Sequence, residues 1–262
     1  MKWLLALACT GCQVIFPLEE DPPVSRCPIA TPGADEDDDG FEDALDNCPS
    51  LSQADQADED GDGVGDICDL HPSTPDRSCF FGFNDSAELE LLTKLSEDWQ
   101  IANGSLIQPV SKNRDGVAIE EQFNTGIVIV TARGLSDAVF SASRLGAVIS
   151  GTELTSGEPH GIVCGIEHKV GPMMPPGMFL LDLENLLGTK AIDVEEGDDR
   201  IFISLTVAAE NNNKPRCSAD TGAQGEVLVL EDFASNLDGQ AAVFVENGTV
   251  EIESIQAIGT VQ

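Results

Sequence analysis

Residues 35–69 of this 262-residue chain read DEDDDGFEDALDNCPSLSQADQADEDGDGVGDICD. Fifteen of them are acidic, whereas neither Lys nor Arg occurs between Arg26 and Arg77. A run of like charges with few apolar residues would normally stay solvated and disordered, because it buries too little surface to offset the entropy of ordering. The spacing of the aspartates favours an ordered, metal-bound structure instead.

The aspartates follow the pattern D-x-D-x-D-G-x-x-D-x-x-D twice, and the second copy starts 23 residues after the first. Alternate carboxylates in a tight loop converge on one centre, which suits Ca²⁺ because this ion takes about six to eight oxygen ligands. The glycine permits the positive φ that turns the chain, and the next residue can offer its carbonyl. We therefore predict two calcium-binding loops with these ligands: Asp35, Asp37, Asp39, the carbonyl of Phe41, Asp43 and Asp46 in loop 1 (residues 35–46), and Asp58, Asp60, Asp62, the carbonyl of Val64, Asp66 and Asp69 in loop 2 (residues 58–69).

The surroundings of the two loops indicate the kind of repeat. The flanking sequences lack the amphipathic helices that an EF-hand needs. Asn47-Cys48-Pro49 follows loop 1, Gln56 precedes loop 2, and residues 63–69 read GVGDICD. With these residues the segment resembles the thrombospondin type 3 repeat. A dockerin-like pair of loops is the alternative, and it would need a helix where Cys48-Pro49 stands.

The resemblance implies a unit over residues 34–70 with almost no apolar core, wrapped around several Ca²⁺ ions and pinned by a disulfide between Cys48 and Cys68. The chain departs from the family pattern at Gln53 and Ala54, which affects local loop geometry more than the metal ligands. Because its few apolar residues cannot offset the ordering entropy, metal binding has to supply the folding free energy of this unit.

The amino terminus has the features of an export signal. One Lys precedes the apolar run of residues 3–8, which is typical of a short secretory segment. Residues 7–12 resemble the lipobox of bacterial lipoproteins, with Cys12 as the lipidated residue and Cys9 as the alternative; a plain secretory peptide is also open. We predict a signal peptide over 1–11, a Pro-rich tether over 12–33 and a location in the cell envelope, as an outer-membrane lipoprotein or at the cell surface.

The cysteine count fits an oxidising destination. Setting aside Cys9 and Cys12 leaves six, an even number in an exported chain, which indicates disulfides. Spacing alone leaves their connectivity open, but position groups them into three pairs: Cys48 and Cys68 inside the repeat, Cys27 and Cys79 on either side of it, and Cys164 and Cys217 in the remaining half.

Beyond a linker over 71–79, residues 80–262 predict a mainly β fold, an antiparallel β-sandwich of the jelly-roll type. Short apolar segments rich in Val and Ile recur between turn signals, and Asn247-Gly248 is typical of a hairpin. Only residues 86–95 and 184–187 favour helix. The predicted strands are 117–123, 126–132, 146–150, 161–168, 178–183, 200–208, 225–230, 240–245 and 250–258.

Both ends of this region carry a second resemblance. Residues 83–85 with 99–108, and the closing run 225–259, are similar to strands of concanavalin A-like, laminin-G-type jelly rolls. Such folds host sugar binding, protein binding and glycoside hydrolysis, so the fold does not choose among them.

Two sequence patterns in the sandwich could indicate a catalytic site and a zinc site, and neither is the preferred interpretation. Glucanases of this fold carry E-x-D-x-E, and Ala191 stands at the nucleophile position of the nearest segment, so we predict that the protein is not an enzyme. His160, Cys164 and His168, spaced by four, could form a zinc site on one strand face. A disulfide between Cys164 and Cys217 is the preferred alternative.

The net charge of −34 excludes a general nucleic-acid binder, since such a chain repels phosphate. We predict a calcium-binding, lipid-anchored surface protein that contacts the membrane through its anchor. Its sandwich would serve adhesion or recognition of an extracellular protein or glycan. The alternatives are a lectin or glycoside hydrolase acting on extracellular glycans, and a passive spacer.

Overall fold

The computed structural model describes residues 27–28, 30–109, 114–137, 143–150, 161–168, 177–182, 185–192, 200–207, 214–221, 225–229 and 239–261. The predicted signal peptide, the lipidation site Cys12 and most of the tether lie outside these residues. Within them, no helix has the length and apolar character needed to cross a bilayer.

The described part of the chain contains fourteen strands and one 3₁₀ helix (Ser86–Leu91). The strands are β1 (Arg77–Phe81), β2 (Leu92–Lys94), β3 (Gln100–Ala102), β4 (Ser105–Gln108), β5 (Arg114–Asp137), β6 (Ser143–Ser150), β7 (Gly161–His168), β8 (Gly177–Asp182), β9 (Asn185–Ala191), β10 (Ile201–Val207), β11 (Pro215–Asp220), β12 (Gly225–Val229), β13 (Gly239–Glu246) and β14 (Gly248–Val261).

The strands form two antiparallel sheets that share the long strand β5. Residues 114–123 of β5 lie in the first sheet, in the order β2-β5-β13-β6-β7-β8-β9. Residues 126–132 lie in the second sheet, in the order β12-β11-β10-β5-β14, where β14 also pairs with β1 and β4. Gly126 lies where β5 passes between the sheets, and a Cβ there would stand 2.7 Å from the carbonyl oxygen of Ile258.

The core lies between the sheets because apolar residues alternate along the strands. In β10, Ile201, Ile203, Leu205 and Val207 face the core. Cys164 in β7 and Cys217 in β11 form a disulfide that crosses this core and joins the two sheets. Because only a thiolate binds metal, Cys164 is not available to a zinc ion, and His160 lies outside the described residues.

The predicted fold class, a mainly β antiparallel sandwich, is confirmed. The helix over 86–95 is shorter than expected: a capping box at Asp85 and Glu88 starts the 3₁₀ helix, and β2 begins at Leu92. The helix predicted over 184–187 is wrong for its described residues, because 185–187 lie in β9, which pairs with β8, while 184 lies outside the described residues.

The hairpin at Asn247-Gly248 is also wrong. Asn247 has a positive φ of 55°, as the turn signal predicts. However, β13 pairs with the first half of β5 and β14 with the second half, so the turn carries the chain from one sheet to the other. The residue types at the turn therefore predicted the bend, but not the strands with which β13 and β14 pair.

The repeat is docked on the sandwich rather than held away from it. Cys48, Val64 and Cys68 are buried together with Ile258 of β14, on the outer face of the second sheet. β1 begins at Arg77, inside the segment 71–79 expected as a linker. The disulfide Cys27–Cys79 ties the end of the predicted tether to β1.

Candidate calcium-binding site

The two aspartate loops have the same backbone conformation. Gly40 in loop 1 has φ of 96° and Gly63 in loop 2 has φ of 91°, so the positive φ predicted for both glycines is confirmed. Substitution there would strain the backbone, because L-residues other than Asn and Asp rarely adopt this region. The disulfide Cys48–Cys68 connects the segment after loop 1 to loop 2.

In loop 1, aspartate side chains accept hydrogen bonds from the backbone they enclose. The amide of Gly40 donates to Asp35 Oδ2 at 3.1 Å, that of Asp39 to Asp37 Oδ1 at 3.2 Å, and that of Phe41 to Asp39 Oδ1 at 2.8 Å. The Glu36 amide donates to Asp43 Oδ1 at 2.9 Å.

Loop 2 repeats these bonds one period later. The amide of Gly63 donates to Asp58 Oδ2 at 3.0 Å, that of Asp62 to Asp60 Oδ1 at 3.2 Å, and that of Val64 to Asp62 Oδ1 at 2.7 Å. In both loops the first three aspartates bring one carboxylate oxygen each to within 4.8 Å of the others. The structure thus brings together the two predicted triads.

The inner carboxylates keep oxygens that no protein group satisfies. Oδ2 of Asp37, Asp43 and Asp60 is buried without a hydrogen-bond partner in the described structure. Buried carboxylate oxygens are costly unless a donor or cation compensates them. Three such atoms in two matched loops are the arrangement expected of cation ligands.

Crowding also shifts the protonation of these groups. Burial, followed by the charges of Asp39 and Asp46, raises the pKa of Asp37 to about 7. Burial raises the pKa of Asp43 as well. Burial and the neighbouring Asp76 raise the pKa of Asp69 to about 6. Without cations, these carboxyl groups are therefore protonated more easily than an exposed aspartate.

The residues that carry the family resemblance bind the segment after loop 1 to that loop. Gln56 Nε2 donates to Asp46 Oδ1 at 2.9 Å, and Asn47 Nδ2 donates to the Gln56 carbonyl at 3.0 Å. The Gln53 amide donates to Asp39 Oδ2 at 3.0 Å, and its side chain bonds Asn47. The departure at Gln53 thus leaves the connection of this segment to loop 1 intact.

Sequence reasoning missed a third acidic group at the end of the repeat. Asp69, His71 and Asp76 bring one ligand atom each to within 4.8 Å of the others. Asp69 was predicted as a loop 2 ligand, but Asp76 lies in the segment taken as a linker. The signal was available, because the 23-residue period continues beyond loop 2: Asp46, Pro49 and Ser50 recur as Asp69, Pro72 and Ser73.

Polar contacts also join loop 1 to the sandwich. Asn84 Nδ2 donates to Glu36 Oε1 at 3.0 Å, and Arg200 donates to the Glu36 carbonyl. Arg200 Nε also pairs with Glu253 at 2.9 Å. A cleft of about 330 Å³ lies at this junction, lined by Asp35, Glu36, Asp38, Arg133, Arg200 and Glu253.

The first sheet has a charged row on its outer face. Arg144 pairs with Glu167 at 2.7 Å and with Glu246 at 3.1 Å, and Arg114 lies 3.7 Å from the same Glu246. The Arg144 guanidinium also lies over the Phe179 ring. Because both arginines pair with glutamates of the same row, this part of the outer face is not a basic patch.

The structure places Ala191 at the position where the glucanase pattern E-x-D-x-E has its nucleophile. Ala191 is the last residue of β9 and is exposed, while the rest of that motif, residues 193–195, lies outside the described residues. The position that the mechanism requires as a nucleophile therefore carries only a methyl group.

Comparison with known proteins supports both units. Residues 27–56 match the family model of the thrombospondin type 3 repeat. No curated protein matches the sequence of this chain. Residues 27–56 are thus identified as a thrombospondin type 3 repeat; the match includes loop 1, and loop 2 lies beyond it.

The sandwich resembles solved lectin structures. Winged bean acidic lectin, complexed with methyl-alpha-D-galactose, is 10% identical with a TM-score of 0.54, over 71% of this chain and 99% of the lectin. The metal-free Emp46p carbohydrate recognition domain is 12% identical with a TM-score of 0.52, over 66% and 91%. The VIP36 exoplasmic/lumenal domain, bound to Ca²⁺ and Man3GlcNAc, is 8% identical with a TM-score of 0.50, over 64% and 84%. At these identities the likeness establishes a concanavalin A-like fold alone.

Proposed function

We propose that this chain, a thrombospondin type 3 repeat followed by a concanavalin A-like sandwich, binds Ca²⁺ through loops 1 and 2. The observation that carries the proposal is the set of buried Oδ2 atoms of Asp37, Asp43 and Asp60, which lack hydrogen-bond partners among the described residues. Bound ions would compensate these oxygens and order the repeat.

Each position has a distinct part in this proposal. The outer oxygens of Asp35 and Asp58 hold the turn by accepting backbone hydrogen bonds. Asp37 and Asp60 direct a buried oxygen inward, where it would meet the ion. The carbonyls of Phe41 and Val64 and the carboxylates of Asp39, Asp43, Asp46, Asp62, Asp66 and Asp69 would complete the coordination.

Charge balance supports the same conclusion. The repeat contains no Lys or Arg of its own, and Arg200 and Arg77 are already paired with Glu253 and Glu121 of the sandwich. Since the carboxylates repel one another in the absence of cations, divalent ions are the counter-charge that this segment lacks.

The test is a calorimetric titration of the oxidised protein, residues 13–262, with Ca²⁺ after removal of metal by EDTA. We expect binding at more than one site, with a matching gain of order in circular dichroism. Absence of heat, together with spectra that Ca²⁺ leaves unchanged, would contradict the proposal.

We further propose that the protein is exported and anchored through lipid at Cys12, on the strength of the amino-terminal sequence. Mass spectrometry of the mature protein from its native host tests this. A diacylglycerol-modified amino terminus at Cys12 is the expected result, and Cys12→Ser should release the protein whereas Cys9→Ser should not. An unmodified terminus, or release by Cys9→Ser alone, would contradict the assignment.

For the sandwich we propose recognition of an extracellular ligand rather than catalysis. The repeat covers the outer face of the second sheet around Ile258, so a ligand would bind at the first sheet or at the ends of the strands. A glycan array and a panel of matrix proteins separate a lectin from an adhesion module. Release of reducing sugar from a bound polysaccharide would instead support the hydrolase alternative.

A further inference from the structure

Asp76 occupies an unusual place for a carboxylate. It precedes β1, only 9% of its surface is exposed, and its side chain is fully buried. Its Oδ2 accepts a bond from His71 Nδ1 at 2.9 Å, whereas Oδ1 is buried and has no partner in the described part of the chain. Such a buried anion is unstable without a compensating positive charge.

The surroundings of Asp76 add negative charge. One carboxylate oxygen of Asp69 and one of Asp76 lie within 4.8 Å of each other and of a nitrogen of His71. The Asp76 amide donates to Asp62 Oδ2, which brings a third carboxylate to the group. The nearest basic residue in sequence, Arg77, is paired with Glu121 at 2.5 Å. His71 is positive only when protonated, so a neutral His71 leaves Asp76 Oδ1 without a compensating charge among the described residues.

The period of the repeat shows how this group arises. Gln53 and Asp76 are 23 residues apart, and their backbone amides donate to Asp39 Oδ2 and Asp62 Oδ2, which are also 23 residues apart. The amide of Cys48 bonds Asp46, as that of His71 bonds Asp69. The two places are thus equivalent in backbone, but the first carries a neutral amide and the second a buried carboxylate.

We propose that Asp69 and Asp76 are ligands of an additional divalent cation, Ca²⁺, at the junction between the repeat and the sandwich. Carboxylate oxygens are the ligands that Ca²⁺ prefers. His71 is a positioning residue, since its ring N–H donates to Asp76 Oδ2 and orients the carboxylate. The inference rests on the proposed calcium binding of the same repeat and extends it to a residue beyond both loops.

The position of this site gives it a structural role. Asp76 is followed directly by β1, which pairs with β14. Asp69 belongs to loop 2, so one ion held by both would link the loop to the edge of the second sheet. The repeat would then be fastened to the sandwich near Asp76 as well as through its packing on Ile258.

The experiment compares Ca²⁺ stoichiometry by equilibrium dialysis for the oxidised protein, Asp76→Asn and Asp55→Asn. Asp55 is an exposed aspartate of the same repeat outside both loops, so Asp55→Asn is the matched control. We expect Asp76→Asn to bind one ion fewer, or to bind that ion at least tenfold more weakly, while Asp55→Asn matches the parent. Unchanged stoichiometry and affinity in Asp76→Asn would overturn the junction site.

Three further results separate a failure of the junction site from failure of loops 1 and 2, from misfolding and from binding of a transition metal. If the parent protein binds no Ca²⁺, the proposed function fails as well, whereas a failure confined to Asp76→Asn leaves loops 1 and 2 intact. If Asp76→Asn misfolds, as judged by Trp99 fluorescence, Asp76→Gln copies the residue of the first repeat and should show the same loss of one ion. Zn²⁺ binding that His71→Gln abolishes, with Ca²⁺ stoichiometry equal in the parent and Asp76→Asn, would assign the site to a transition metal and contradict the proposal.

Discussion

The sandwich and the repeat are stabilised in opposite ways. In the sandwich, alternating apolar residues such as Ile203 and Leu205 are fully buried between two sheets. In the repeat, the side chains that converge are carboxylates, and Leu45 and Ile67 are exposed by 77% and 53%. The first unit is stabilised mainly by removing apolar surface from water, whereas the proposed Ca²⁺ ions, together with the disulfide Cys48–Cys68, would stabilise the second.

The two units also differ in where their buried apolar residues pack. The few buried apolar residues of the repeat, among them Val64, pack with Ile258 of the sandwich rather than among themselves alone. The repeat is therefore not a free stalk, because it packs on a sheet of the other unit. The sandwich has an apolar core of its own.

The sharpest way to separate the two regions is to remove calcium. In EDTA, amide hydrogen exchange should rise by orders of magnitude for Asp43 and Cys68, whose amides bond Ala34 and Gly65 in the repeat. Amides of β7 should keep their protection, because the core of the sandwich is apolar. Mg²⁺ in place of Ca²⁺ is the control, and equal protection of the repeat with and without Ca²⁺ would erase the distinction.

A core deletion should act on the sandwich alone. Leu205→Ala removes a fully buried side chain and is expected to lower the free energy of unfolding by about 2–5 kcal/mol, with or without Ca²⁺. Ile67→Ala, at an exposed position of the repeat, should change it by less than about 0.5 kcal/mol. Urea unfolding monitored by Trp99, which is buried and bonded to Asp115, measures both. Similar losses in the two variants would contradict the comparison.

Ligand deletions should act on the repeat alone. Asp37→Ala and Asp60→Ala each remove a buried carboxylate oxygen, so each should weaken Ca²⁺ binding roughly 10- to 100-fold, about 1.4–2.7 kcal/mol. Asp55→Ala is the control. Calorimetry gives the affinities, while urea unfolding of the sandwich should be unchanged; retained affinity in both variants would refute the ligand assignment.

Protonation should modulate the repeat more gently. Because the pKa of Asp37 is raised to about 7, protons compete with Ca²⁺ below that pH, and affinity should be about tenfold weaker at pH 6 than at pH 8. The ion-free fold has the opposite dependence. A raised pKa stabilises it fully below the ordinary value near 3.8, and this stability is lost as the pH rises through about 7.

Calorimetry at the two pH values, with Asp37→Asn as the comparison, measures the first effect. The variant should lose most of the pH dependence, since it removes the titrating group. An affinity that is the same at both pH values in the parent protein would show that Asp37 does not compete with the ion.

Loops 1 and 2 were predictable because their order is local. Six matched positions repeat after 23 residues, and the backbone bonds of Asp35 and Asp58 join residues no more than five apart in sequence. The alternation of apolar residues likewise predicted most strands and the fold class. The period of the sequence indicates these features even when the residues that each segment pairs with are not known.

The errors arose where distant residues decide. The sequence of 184–187 favours helix locally, but residues 185–187 lie in strand β9, which pairs with β8, and Asn247-Gly248 turns between sheets instead of closing a hairpin. Asp76 was taken for linker, because its burial against His71 depends on how the chain enters β1. Pairing and burial at long range override local preference in each case.

The sequence by itself determined that two aspartate loops of one kind precede an alternating β fold, because spacing dictates which side chains of a short segment converge or share a face. Only the tertiary structure decided that the repeat lies on the second sheet, that β5 belongs to both sheets and that Asp76 is buried beside Asp69. These features depend on contacts between residues far apart in the chain, and the free energy of burial, not any local pattern, selects them.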